Sequence, residues 1–156
     1  ETNQIIESHR QEFLDIYEEC CLTHTKMFDG VEEVLNELNE KKIKWGIITN
    51  KPRRFAEGIV QNKLGKLKPP FLICPDDVGT RKPEPDGLLH ALTLSGSKPE
   101  NSIYIGDHQI DIKAGERANM LTGAAAYGYI PLNDTVNKWK ADYVFDKANE
   151  IIALVE

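Results

Sequence analysis

Four side chains in this sequence have the type and spacing that chemistry needs: Thr49, Lys82, Asp107 and Asp111. The two aspartates end the run Ile103-Tyr104-Ile105-Gly106-Asp107-His108-Gln109-Ile110-Asp111, in which an apolar stretch stops at Gly-Asp and a second carboxylate follows four residues on. Gly106 lets the chain turn sharply, and a helix over 109–119 then sets Asp111 about one turn in, so that both carboxylates face one small volume. Hard oxygens so placed suit Mg²⁺, which takes one or two protein carboxylates and completes its shell with water and substrate phosphate. Taken alone, the run is equally a capped helix with a solvated second carboxylate. Thr49 ends another apolar run, before Asn50-Lys51-Pro52. A hydroxyl and the free N–H groups of a helix start at a strand tip make a cradle for phosphate oxygens. Lys82 lies in a turn-rich loop over 76–85, held extended by Pro83, and can point inward as a phosphate partner. His108 reads as a solvent-facing loop residue or a substrate contact.

These positions need a scaffold, and the hydrophobic periodicity supplies one. Residues 2–22 place Ile5, Ile6, Phe13, Ile16, Tyr17 and Cys20 on one face of a long amphipathic helix. A polar link leads to Asp29-Gly30 and a second helix with Val31, Val34, Leu35 and Leu38 on one side. A strand over 42–49 precedes a helix with Phe55, Ile59, Val60 and Leu64. A short strand over 71–74 follows, then the loop of Lys82 and a helix over 85–95. After the strand of Ile103 and its helix come a strand over 120–126, a short segment around Trp139, a strand over 143–145 and a closing helix over 147–155. Strands alternating with helices predict an α/β fold with one open, doubly wound parallel sheet and its site at the carboxyl ends of the strands. Thr49, Lys82, Asp107 and Asp111 all fall at or near such ends.

The chain of 156 residues is long enough for one sizeable core. A net charge of -6 argues against nucleic acid or an anionic membrane as the main partner. No apolar run approaches membrane-spanning length. The opening Glu-Thr-Asn-Gln lacks the basic and apolar regions of a signal peptide, so a cytoplasmic location is expected. Cys20, Cys21 and Cys74 have no C-x-x-C pairing for zinc and read as structural thiols.

Ile48-Thr49-Asn50-Lys51, Arg81-Lys82-Pro83 and Gly106-Asp107 with Asp111 closely resemble, in order and spacing, the second, third and fourth motifs of the haloacid dehalogenase superfamily. The likeness covers nearly the whole chain. Through Trp45 to Pro52 and Tyr127-Gly128-Tyr129-Ile130 it is similar to the phosphoglycolate phosphatase-like subfamily, which includes N-acetylmuramic acid 6-phosphate phosphatases. The resemblance implies a Mg²⁺-dependent phosphomonoester hydrolase acting on a small phosphorylated metabolite through an aspartyl-phosphate. Thr49 and the Asn50 backbone N–H would hold the phosphoryl group, Lys82 would neutralise it, Asp107 would bind Mg²⁺ and Asp111 would support the metal site. A sugar-phosphate phosphatase is the alternative substrate reading. A receiver domain, which places its acidic cluster first and its lysine last, fits the order Thr, Lys, Asp, Asp poorly.

The family's first motif, Asp-x-Asp-Gly-Thr, does not occur in this sequence, and its first aspartate is the family's nucleophile. The resemblance therefore implies that residues 1–24 are the end of a helical cap and residues 25–156 an α/β core without its first strand. On that reading the chain alone is catalytically inactive, or serves as a binding protein. The absent strand would lie between the strands ending at Thr49 and Asp107. Rather than pair those two directly, the chain is expected to take up a strand from another chain or a separate N-terminal fragment.

Overall fold

The computed structural model describes residues 2–155, with side chains from residue 9 onward. Helix α1 (Thr2–Cys20) leads to α2 (Val31–Glu40), strand β1 (Ile47–Ile48), α3 (Arg53–Lys63), β2 (Leu72–Ile73) and the short α4 (Pro75–Val78). Then come α5 (Asp86–Ser95), β3 (Ile103–Gly106), α6 (Gln109–Arg117), β4 (Leu121–Ala125) and β5 (Tyr143–Phe145). Short 3₁₀ segments cover Pro99–Asn101, Val136–Trp139 and Ala148–Leu154. The expected C-terminal helix is thus a 3₁₀ turn series. The Glu150 carboxylate accepts the Asp146 and Lys147 N–H groups at 2.8 and 3.3 Å at its start. The loop over 76–85 also opens with a helical turn, because Asp77 caps the Cys74 N–H at 2.7 Å.

All strand pairs are parallel, as the alternating pattern predicted, and among the described residues they form two sheets, with β1 and β3 not paired directly. Strand β1 pairs with β2 in the register Ile47 with Leu72 and Ile48 with Ile73. Separately, β3 pairs with β4 from Ile103–Leu121 to Gly106–Ala124, and β4 with β5 from Gly123–Tyr143 to Ala125–Phe145. The expected strand over 42–49 shrinks to two residues because β2 offers only Leu72 and Ile73 as partners.

Between β1 and β3 a side chain replaces a backbone ladder. The Tyr104 hydroxyl of β3 donates to the Ile48 carbonyl of β1 at 3.1 Å. Beneath this boundary the two sheets share one core, in which Leu88 of α5, Tyr104, and Ala114 and Ala118 of the α6 region pack together with Ile48 and Met120 against them. A second cluster, Ile112, Ala124 and Trp139, anchors α6 to β4. The strand tips at Thr49 and Asp107 are held by the same packed helices although their strands do not pair.

On the α3 side of β1 an apolar groove runs past Met27, Ile47, Ile59, Val60, Leu64 and Leu72. Helix α1 does not cover it with the face that its sequence predicts to be buried: Phe13 and Ile16 are 65% and 57% exposed. Tyr17 is the exception, meeting Phe55 edge-on at 5.1 Å and lying under the Lys51 ammonium. The expectations for Ile5 and Ile6 fall outside the described side chains.

Candidate active site at the strand tips

The site is assembled from three loops that follow strands, and the joints between them are polar. Asn50, directly after Thr49, clamps the backbone of Lys82 with both ends of its side chain: Oδ1 accepts the Lys82 N–H at 2.8 Å and Nδ2 donates to the Lys82 carbonyl at 3.0 Å. Arg81 adds a bond from its guanidinium to the Asn50 carbonyl at 3.0 Å. The Lys51 N–H donates to the Thr49 hydroxyl oxygen at 3.1 Å, which leaves the Thr49 proton available for an incoming acceptor.

So positioned, the Lys82 side chain runs inward to a buried ion pair. Its ammonium donates to Asp111 Oδ1 at 2.7 Å and to the Tyr104 hydroxyl at 2.8 Å, with a long contact to the Ile48 carbonyl at 3.4 Å. The Lys82 and Asp111 side chains are 12% and 7% exposed. Asp111 uses its second oxygen, Oδ2, to accept the His108 N–H at 3.1 Å, capping α6. Gly106 is required for this arrangement, since a Cβ there would lie 2.4 Å from the Asp111 Cβ.

Asp107 turns the other way. Its Oδ2 accepts the Tyr129 N–H at 2.8 Å, and among the described residues its Oδ1 accepts no hydrogen bond. Gly128 brings that loop close: a Cβ on it would meet the Asp107 Cβ at 2.3 Å. Thr49, Asn50, Lys82 and Asp111 are therefore linked through Lys82, while Asp107 stands on the adjoining tip with one free oxygen. His108 is exposed, and its ring nitrogen faces the Ile110 N–H at 3.5 Å.

That free oxygen fits one corner of a Mg²⁺ octahedron, whose other corners water and a phosphate can fill. Among the described residues no group of three or more His, Cys, Asp or Glu side chains is gathered to hold a metal. Asp111 has both oxygens engaged by donors, the Lys82 ammonium and the His108 N–H, so neither is open to a metal ion.

Tyr104 and the Asn50 side chain were not singled out from the sequence. Tyr104 had a signal, a lone hydroxyl within an apolar strand. The clamp by Asn50 had none, because its partner is 32 residues away.

Burial pushes the Tyr104 hydroxyl up to about 12, against the opposing pull of the Lys82 cation. Burial lowers Lys82, but Tyr104 and Asp111 outweigh it and hold the ammonium above its ordinary value. Both groups keep their protons longer in the folded chain than in the unfolded one. Their contribution to stability is fully present below pH 10 and is lost as pH rises through the folded values. Denaturant midpoints should therefore fall steeply between pH 10 and 12, and less steeply in Tyr104→Phe. An equal slope in the two proteins would show that folding leaves the Tyr104 hydroxyl at its ordinary value.

The model of the family described as haloacid dehalogenase-like hydrolase matches residues 1–125. An N-acetylmuramic acid 6-phosphate phosphatase of Pseudomonas aeruginosa is 39% identical over 151 residues, covering 97% of this chain and 67% of that protein. A phosphoglycolate phosphatase of Xanthomonas campestris is 35% identical over 140 residues, covering 90% of this chain and 63% of that protein. Among solved structures, a predicted phosphoglycolate phosphatase from Haemophilus somnus superposes with a TM-score of 0.87 at 23% identity, over 94% of this chain and 64% of that one. The chain thus spans about two thirds of the length of the curated relatives it matches.

Proposed function

The chain belongs to the haloacid dehalogenase-like hydrolases, and from that premise we propose that it carries the phosphate-binding and metal-binding part of a Mg²⁺-dependent phosphomonoesterase. The observation that carries this reading is the buried Lys82 ammonium, fixed at the strand tips by Asn50 behind it and Asp111 beside it. Only its long contact to the Ile48 carbonyl is weak, and a phosphate oxygen can replace that partner without breaking the ion pair. Thr49 would donate its hydroxyl proton, and the Asn50 N–H would add a second donor. These groups bind and orient the phosphoryl group and offset its charge where charge redistributes during transfer. Asp107 would hold Mg²⁺, which when bound supplies further neutralisation of the phosphate oxygens.

The attacking carboxylate is not among Thr49, Lys82, Asp107 and Asp111, each of which already has a different task. We assign it to a segment that enters between β1 and β3, which are not paired with each other and are bridged by the Tyr104 hydroxyl. On this reading α1 belongs to a cap over the core of residues 25–156. The relatives favour a small phosphorylated metabolite as substrate. Their names divide between a phosphorylated amino sugar acid and phosphoglycolate.

The test has two arms. Purified residues 1–156 should release negligible phosphate from p-nitrophenyl phosphate with Mg²⁺, whereas a longer form that supplies the attacking carboxylate should turn over and lose that activity in Asp107→Asn. Robust hydrolysis by residues 1–156 alone would refute the assignment of the nucleophile. Undiminished Mg²⁺-dependent turnover in Asp107→Asn would refute the assignment of the metal.

A further inference from the structure

Two apolar surfaces of this chain are left open, and the charges around them are opposite in sign. The groove between β1 and α3 is lined by aliphatic side chains, among them Ile59, Val60 and Leu64, and its charged residues are all lysines: Lys26, Lys51 and Lys63. Among the described residues no carboxylate forms an ion pair with any of the three. In a chain of net charge -6, an apolar groove edged only by cations calls for an acidic apolar occupant. The second surface is the outer face of α1, where Phe13 and Ile16 are exposed. Glu12, Asp15 and Glu19, also exposed, stand three or four positions from Ile16 or Glu12, so the acidic and apolar side chains share one stripe of the helix.

Helix α1 does not lay this stripe in the groove of its own chain. Tyr17 is held edge-on to Phe55 at 5.1 Å, its hydroxyl accepts a hydrogen bond from the Lys51 ammonium, and Glu18 reaches Arg54 at 4.0 Å. Neither Phe13 nor Ile16 lines the groove. Phe13 stacks on Tyr17 at 6.3 Å, and Tyr17 touches Lys51 of the groove, so stripe and groove lie side by side. Adjacent complementary surfaces on one molecule are what a two-fold pairing needs, since a second copy then offers its stripe to this groove and its groove to this stripe. The other helices match the groove less well. Helix α5 exposes Leu89 and Leu94 but carries a single carboxylate, Asp86, at its start, and α2 is acidic but exposes no large apolar side chain.

We propose that the groove between β1 and α3 is the docking surface for α1 of a second copy of this chain, and that two copies exchange their α1 stripes in a symmetric dimer. The Phe13 and Ile16 side chains of each copy enter the apolar groove of the other, and the acidic residues of the stripe face its lysines. The dimer does not depend on the phosphate site, although Thr49 lines the same groove.

The experiment is sedimentation velocity of residues 1–156 over a roughly hundredfold range of protein concentration. The chain should pass from monomer to dimer, with a dissociation constant that rises with salt because the charged rim is screened. Phe13→Ser/Ile16→Ser, at exposed positions, should weaken the dimer by roughly tenfold or more. Two charge-reversed forms supply a further arm, one with Glu12→Lys and Glu19→Lys, the other with Lys26→Glu and Lys63→Glu. Each should sediment as a monomer, and their equimolar mixture should dimerise, because both contacts of the mixed pair again join opposite charges. Circular dichroism of each form checks that it is folded. A monomer at every concentration of the unmodified chain would overturn the proposal. So would a dimer that persists in Phe13→Ser/Ile16→Ser, which would place the interface elsewhere. A dimer lost in Phe13→Ser/Ile16→Ser but unchanged in Lys26→Glu/Lys63→Glu would mean that stripe packs on stripe, leaving the groove to another occupant, and would overturn it as well.

Discussion

Asp111→Ala is expected to lower the unfolding free energy by about 3–5 kcal/mol, the range found when one partner of a buried ion pair is removed. The size of the effect follows from what is left behind. Lys82, 12% exposed, would keep only a neutral hydroxyl and a distant carbonyl as partners for its ammonium. The His108 N–H at the start of α6 would lose its acceptor at the same time. Asp111→Asn should cost less, because an amide oxygen can still accept from His108. Combining Lys82→Met with Asp111→Leu should recover much of the loss, since apolar replacements of a buried pair leave no uncompensated charge. Urea denaturation of the four proteins measures this directly. A loss below about 1 kcal/mol in Asp111→Ala would place the pair in the class of solvent-screened surface contacts.

Lys82→Ala is expected to have the largest effect on phosphate chemistry. Inorganic phosphate binding by residues 1–156 should fall below detection. In a catalytically complete form kcat/KM should drop by a factor on the order of 10²–10³, the usual consequence of removing one preorganised charge-stabilising donor. The loss should fall more on kcat than on KM, because neutralisation matters most as charge redistributes over the transferring group. Since the same change leaves Asp111 without its cation, Lys82→Met, which retains most of the stem, should be measured beside it at a temperature where both are folded. A pure KM effect in both variants would reduce Lys82 to a residue that recruits substrate.

Several elements of this architecture are legible in the one-dimensional pattern for definite reasons. The strand of Ile103 is marked by an apolar run, its end by Gly106, and α6 by the 3.6-residue spacing that follows. Helix α5 ends where Gly96 adopts positive φ. The motifs around Thr49 and Asp107 were visible because each sits where a strand gives way to a turn, and that of Lys82 because Pro83 follows it in a loop of turn formers. The 3₁₀ turns at the C-terminus were not visible, since their apolar spacing differs little from that of a short α-helix.

The sequence by itself determined the parallel α/β class, the strand tips that carry Thr49 and Asp107, the helix start that carries Asp111, and the family through the order of its motifs, because these depend on local periodicity and on residue types at turns. Only the tertiary structure decided the partners. It joined Asn50 to the Lys82 backbone, gave Lys82 to Asp111 and Tyr104, turned Asp107 towards the Tyr129 N–H, and left β1 and β3 bridged by a tyrosine hydroxyl instead of a ladder. It also gathered Phe28, Tyr127 and Tyr129. Each of these contacts joins residues at least 20 positions apart, where no periodicity connects them. Their geometry follows from how α5 and α6 pack the two sheets onto one core, and packing at native density fixes distances that a pattern of apolar and polar residues leaves open.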